Sequence, residues 1–245
     1  RCYAFFHPRM PTEPLIFVEV ALVKGLAGSV QRLLDEKAPV LDPKQADTAI
    51  FYSISNCQIG LSGISFGNFL IKRVVEELSG EFRNVRSFAT LSPVPGFRRW
   101  LDPKLEANER GLLTDEEAAG LQTVVPGEAT STLSDILSRR AWYRDAALAR
   151  AAEPALVRLC ARYLLTEGTG KRARDPVAHF HLSNGARLER INMAGDVSEK
   201  GARESATLMV NYLYDVTKIE DWHEDYAGEG KRNASATVRK LLARS

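Results

Sequence analysis

The side chains best suited to acid–base or nucleophilic chemistry are one serine and two closely spaced histidines. Ser92 follows an apolar segment and is the second residue of the stretch LSPVPGF (residues 91–97), in which two prolines stiffen the backbone. His179 and His181 alternate, so in an extended segment both rings would share one face. Ser92 and His181 could form a hydrolase-like pair, although the sequence names no acid partner. The alternatives are a Ser-Pro turn at Ser92 and a buried structural histidine at position 181.

The sequence lacks the usual signatures of metal and disulfide sites. Two histidines need at least one more ligand to hold zinc, and neither an HExxH motif nor a third His or Cys lies nearby. The cysteines Cys2, Cys57 and Cys160 are scattered and form no CxxC pair. We therefore expect no metal site and no disulfide framework, and a reducing compartment fits best.

A loop of small residues between a predicted strand and a predicted helix is the third candidate site. It covers residues 58–67 and contains three glycines. Backbone N–H groups at the start of a helix attract phosphates, and glycine allows a ligand to approach closely. The loop matches neither the Walker motif nor the dinucleotide-binding motif. This leaves a pyrophosphate loop of the type used by GNAT acyltransferases, or a turn that binds nothing.

The elements that would position these residues follow from hydrophobic periodicity. Strands are predicted at residues 15–23, 49–55, 86–92, 186–192 and 207–214. Helices are predicted at residues 27–37, from about 66 to a stop at Gly80, within the helical region 102–169, and around Val238 at the end of the chain. The simplest arrangement is one α+β domain with a helical insertion.

Composition excludes several classes of protein. The chain has 245 residues, of which 44% are hydrophobic and 26% charged, with a net charge of +2, so it is an ordinary globular sequence. A nucleic-acid partner is not expected, because such proteins are usually more basic. No apolar run reaches the ~20 residues of a membrane span, so no membrane partner is expected. The chain begins at Arg1 and not at Met, which suggests a start inside a longer reading frame.

Taken together, the motifs resemble the C-terminal catalytic domain of the malonyl-CoA decarboxylase family. The matching segments are HPRMPTEPL (7–15), VEVAL (18–22), FYSIS (51–55), GLSGISFGNFLIKRV (60–74), LSPVPGF (91–97), DPVAHFHLSNG (175–185) and LMVNYLY (208–214). Each is weak alone, but they occur in order over nearly the whole chain. Some members have Gln where this chain has Ser62, which is a minor departure.

The resemblance implies a GNAT-like α+β fold over residues 1–245, with a mixed sheet flanked by helices and a helical insertion. The helical N-terminal domain of full-length members, which supports a homo-oligomer, would be absent from this chain. The implied reaction converts malonyl-CoA to acetyl-CoA and CO2 without a metal or prosthetic group. Ser92 and His181 would be catalytic, and Tyr214 would line the substrate site. The implied acyl-CoA loop consists of Ser62, Gly63, Ile64, Ser65, Phe66, Gly67 and Asn68.

In the implied mechanism, His181 protonates an enolate, because a histidine ordinarily titrates near neutrality. Three other functions remain as alternatives: an acyltransferase that passes an acyl group from CoA to an amine, a non-catalytic acyl-CoA sensor, and a thioester hydrolase. We expect a bacterial cytoplasmic location, whereas eukaryotic relatives can be mitochondrial or peroxisomal.

Overall fold

A mixed sheet with helices around it organises the chain in a computed structural model that describes residues 1–61, 69–125, 127 and 129–243. Its strands, in chain order, are β1 (Cys2–His7), β2 (Met10–Val23), β3 (Thr48–Asn56), β4 (Ser87–Thr90) and β5 (Ser92–Pro93), and then β8 (Arg187–Asn192) and β9 (Met209–Tyr214). Strands β6 (Gly168–Thr169) and β7 (Arg172–Ala173) form a separate hairpin. The predicted α+β class with a mixed, helix-flanked sheet is confirmed.

The middle of the sheet is where its pairing changes. The order begins β1, β2, β3, β4, and β9 then pairs with both β4 and β5 on one side and with β8 on the other. Among the named strands of the described residues, the pairs are antiparallel except β3 with β4, which are parallel over residues 48–51 and 87–90. The single strand predicted at residues 86–92 is therefore two short strands, interrupted at Leu91.

The helices lie between and after these strands. They are α1 (Val30–Leu33), α2 (Phe69–Glu81), α3 (Phe97–Glu106), α4 (Asp115–Gln122), α5 (Ala129–Ser138), α6 (Ala146–Leu165), α7 (Pro176–Ser183), α8 (Glu199–Ser205), α9 (Ile219–Glu224) and α10 (Ala236–Leu242). Helices α3 to α6 form the predicted helical insertion. None of the described helices combines the length and apolarity needed to cross a membrane.

Two predicted helix boundaries were wrong. The helix expected over residues 27–37 is one turn, Val30–Leu33, because the Asp35 carboxylate accepts a hydrogen bond from the Lys37 N–H and turns the chain instead. Helix α2 runs through Gly80 to Glu81 rather than stopping at the glycine. A single glycine weakens a helix by only about 1 kcal/mol, which packing can offset.

The core forms where α2 packs against the sheet. Strand β2 buries alternate side chains, Ile16, Val18 and Val20. Helix α2 buries Val74 and Leu78 in the same hydrophobic cluster. This packing holds the central strands of the sheet in place. Strand β5 is a short segment that lies outside this packed region.

Candidate active site

The break between β4 and β5 positions Ser92. The Leu91 N–H still bonds to the Phe51 carbonyl, at 3.0 Å, before the chain turns to pair with β9. Ser92 is buried, and its hydroxyl donates a hydrogen bond to Thr90 Oγ1 at 2.9 Å. Pro93 then removes one backbone donor and helps to limit β5 to two residues.

Helix α7 positions His181. The Asp175 side chain caps the helix and Pro176 occupies its first position, a pattern that favours helix initiation. Residues 179 and 181 therefore lie in a helix and not in an extended segment, and the two rings do not share a face. His181 is buried toward Ser92, whereas His179 Nδ1 hydrogen-bonds Tyr226 OH at 2.8 Å.

A buried hydrogen-bond chain joins the sequence-predicted residues. His181 Nε2 lies 2.9 Å from Ser92 Oγ, and His181 Nδ1 lies 2.8 Å from Tyr214 OH. The exposed fraction is 6% for Ser92, 3% for His181 and 2% for Tyr214, so all three side chains are largely removed from bulk water. The structure thus brings together three predicted site residues that are far apart in sequence.

Two further residues, Tyr212 and Thr90, contact this hydrogen-bond chain, and sequence reasoning missed both. The Tyr212 ring stacks on the His181 ring with centroids 4.5 Å apart, and its backbone N–H donates to Thr90 Oγ1 at 3.1 Å. Tyr212 and Tyr214 alternate on β9, so both lie on the face that meets His181. The alternation in NYLY and in TLS was the available signal, but neither pattern reveals which segments meet.

Burial controls the protonation of these groups. It lowers the pKa of His181 from 6.5 to about 3, because the charged imidazolium loses its hydration. It also raises the pKa of Tyr214, so the phenol keeps its proton. His181 is therefore neutral at pH 7. The expectation that it titrates near neutrality does not fit this environment.

A cavity of about 700 Å³ opens onto the pair. Residues 51–55 of β3 line one side, residues 91–93 line the other, and Phe180 and His181 of α7 complete the wall. Lys200 is the only cation that lines the cavity within the described ranges, and it is exposed. The cavity therefore offers uncharged donors at its buried end and one positive charge at an exposed position.

The predicted acyl-CoA loop, Ser62–Asn68, lies outside the described residues. Within residues 1–61, 69–125, 127 and 129–243, no group of three or more His, Cys, Asp or Glu side chains could hold a metal ion. The partners of the His181 ring nitrogens in this part of the chain are the hydroxyls of Ser92 and Tyr214. This arrangement can hold and relay a proton without a neighbouring carboxylate.

Comparison with known proteins places these features in one family. The family model for the malonyl-CoA decarboxylase C-terminal domain matches residues 1–245. The mitochondrial malonyl-CoA decarboxylase of Anser anser anser is 39% identical over 250 residues, covering 99% of this chain and 50% of that protein. The malonyl-CoA decarboxylase crystal structure from Rhodopseudomonas palustris has 47% identity and a TM-score of 0.87, covering 98% of this chain and 52% of that one. The corresponding structure from Agrobacterium vitis has 47% identity and a TM-score of 0.86, covering 99% and 56%. This chain spans about half the length of the curated relatives that it matches.

Proposed function

Because this chain belongs to the malonyl-CoA decarboxylase C-terminal domain family, we propose that it is a carboxy-lyase that converts malonyl-CoA to acetyl-CoA and CO2. The observation that carries this proposal is the buried Ser92–His181–Tyr214 hydrogen-bond chain at the cavity wall. A decarboxylase acting on a malonyl thioester must stabilise an enolate and then protonate its α-carbon. Hydroxyl and imidazole donors suit both tasks.

The electrons of the breaking bond enter the thioester carbonyl as CO2 leaves, which creates an enolate oxyanion. Preorganised donors near a developing oxyanion give a large rate effect, and the loss of one costs roughly 3–4 kcal/mol. Ser92 is the hydroxyl that lines the cavity and contacts His181, so it is our candidate for contact with the malonyl group. General-acid protonation of the α-carbon would contribute a further ~10²–10⁴-fold.

The proton would come from two uncharged donors, Tyr214 and His181. Tyr214 keeps its proton and can donate to His181 Nδ1, which leaves the Nε2 proton to donate to Ser92 Oγ. Ser92 then donates to Thr90 in the free enzyme and to the substrate when it is bound. A thioester enolate is a stronger base than the alkoxide or imidazolate that neutral Ser92 or His181 becomes on donating its proton, so it can take a proton from these uncharged groups. Solvent would restore that proton after CO2 leaves.

Substrate binding, assembly and location complete the proposal. The Ser62–Asn68 loop would hold the CoA pyrophosphate through its backbone N–H groups, as its glycines and its place before a helix suggest. We further propose a homo-oligomer for the full-length protein and a bacterial cytoplasmic location. The 47% identity to two bacterial proteins, against 39% to the goose mitochondrial protein, supports the bacterial origin. Gel filtration with light scattering, and fractionation of the source cells, would test these two points.

The deciding experiment follows the products from malonyl-CoA by mass spectrometry, with a chelator present and no acyl acceptor. We expect acetyl-CoA and CO2, with no requirement for added metal. Ser92→Ala and His181→Gln should each lower kcat by ~10²–10⁴-fold while CoA binding survives. His179→Gln is the matched control, because it lies two residues away on the same helix and faces elsewhere.

Other outcomes would contradict the proposal in distinct ways. Intact, bound malonyl-CoA would indicate a sensor, transfer to an added amine would indicate an acyltransferase, and free CoA would indicate a hydrolase. Near wild-type kcat in Ser92→Ala or His181→Gln would refute the role of that residue.

A further inference from the structure

The geometry points to Asp175 as a positioning residue for the Ser92–His181 pair. We infer that its buried carboxylate fixes the helix that carries His181 against the turn that follows Ser92. This inference rests on the proposed function for its kinetic consequence, although its structural consequence can be measured independently.

One carboxylate oxygen of Asp175 holds the start of α7. Oδ1 accepts hydrogen bonds from the backbone N–H groups of Val177 at 3.0 Å and Ala178 at 2.9 Å. These bonds satisfy two donors that a helix start leaves without intrahelical partners. His181 lies within the next two turns, so the position of this cap determines where the imidazole is placed.

The other carboxylate oxygen holds the segment that follows Ser92. Oδ2 accepts from the Gly96 N–H at 3.4 Å and from Tyr163 OH at 3.4 Å. A Cβ at position 96 would clash with the Tyr163 hydroxyl, so a side chain there would require Tyr163 to move. Gly96 thus permits the close approach through which α6, α7 and the Ser92–Gly96 turn converge on one carboxylate.

Burial distinguishes this aspartate from an ordinary helix cap. Asp175 is 0% exposed, and a buried carboxylate is unfavourable unless several donors bind it. Asp145 caps α6 in the same way, with one oxygen accepting from the N–H groups of Ala147 and Leu148, but it is exposed. Capping a helix therefore does not by itself explain why Asp175 is buried. Its bonds to both the start of α7 and the turn that follows Ser92 do explain it.

Asp175→Asn tests this role because it separates the cap from the connection. The amide oxygen can still cap α7, but the amide nitrogen then faces the Gly96 N–H, and two donors cannot bond to each other. We expect kcat to fall by ~10–10²-fold, since displacement of a reacting group by about 1 Å has an effect of this size. The KM for malonyl-CoA should stay within about twofold, because Asp175 does not line the cavity.

Asp145→Asn is the matched control, because it makes the same change at a cap that holds no site residue. It should leave kcat unchanged when both variants are assayed well below their melting temperatures. Tyr163→Phe, which removes one hydroxyl from Oδ2, should show the same pattern with a smaller loss of kcat, and it carries the test if Asp175→Asn does not fold.

The ¹⁵N chemical shifts of the His181 ring give a readout that does not depend on activity. Loss of the 2.9 Å contact to Ser92 should move the Nε2 shift in Asp175→Asn but not in Asp145→Asn. Unchanged His181 shifts and unchanged kcat in folded Asp175→Asn, or in Tyr163→Phe if that variant carries the test, would overturn the inference. An inactive wild-type protein would instead refute the proposed function, and the shifts would still decide the positioning role.

Discussion

Substituting His181 should make the protein more resistant to acid. Its pKa is about 3 in the folded protein because of burial, against 6.5 for an unperturbed histidine. Between pH 6.5 and pH 3, His181 therefore binds a proton in the unfolded chain but not in the folded chain. Stability that is present above pH 6.5 is lost as the pH falls toward 3, and no more is lost below that. His181→Gln removes this proton uptake.

The size of the effect follows from the two pKa values. Full uptake of one proton on unfolding changes the free energy of unfolding by about 1.4 kcal/mol per pH unit. Uptake is partial at pH 6 and close to complete near pH 4.5. Between pH 6 and pH 4, the wild type should therefore lose about 2–3 kcal/mol more than His181→Gln. Other titrating groups, including Asp175, affect both proteins alike and cancel in the difference.

Urea denaturation at pH 6, 5 and 4, followed by circular dichroism, would measure this difference. His179→Gln is the control on the same helix: burial also lowers the pKa of His179, but this side chain is only partly buried, so its substitution should have a smaller effect. Parallel pH dependence in wild type and His181→Gln would show that His181 takes up its proton in the folded protein with an ordinary pKa, and burial would then not hold the ring neutral between pH 6 and pH 4.

Three further predictions test the site and its support. Because burial keeps His181 neutral above about pH 4 in the free enzyme, kcat/KM should show no enzyme ionisation near pH 6.5; a limb of the profile with its inflection there would contradict this. Tyr214→Phe removes the hydrogen bond to Nδ1, and steady-state assays should show kcat lowered about tenfold at unchanged KM; unaltered kcat would exclude Tyr214 from the relay. Glu117→Gln leaves the buried Arg158 guanidinium without its charged partner, so urea denaturation should show a loss of about 3–5 kcal/mol, against at most about 1 for Glu77→Gln at an exposed ion pair.

Elements with long, regular patterns could be predicted from the sequence. The strand predicted at residues 15–23 is part of β2, and the strand predicted at residues 49–55 lies within β3. Short elements failed because single local contacts decided them. Asp35 shortened the predicted helix at residues 27–37, and Asp175 with Pro176 initiated a short helix that hydrophobic periodicity had not predicted.

The candidate site was predictable only as separate residues. Ser92, His181 and Tyr214 came from motifs, but Thr90, Tyr212 and Asp175 act through contacts that sequence spacing does not encode. Ser92 and His181 are 89 positions apart, and the Tyr212 N–H reaches Thr90 across 122 positions. Such contacts depend on the order of strands in the sheet, which a single sequence does not specify.

The uncharged character of the buried donors bears directly on the chemistry. A cation beside the malonyl carboxylate would stabilise the substrate more than the transition state, because that carboxylate loses its charge as CO2 forms. Only interactions that strengthen toward the transition state increase kcat. In the proposed function, neutral Ser92 and His181 at the cavity wall bind the growing enolate charge without first holding the carboxylate tightly, and Tyr214 supports His181 from the other ring nitrogen. In the proposed function, Lys200, exposed at the cavity, would instead attract the phosphates of CoA. Burial that lowers the pKa of His181 therefore costs stability in acid but keeps the reacting end of the cavity free of positive charge.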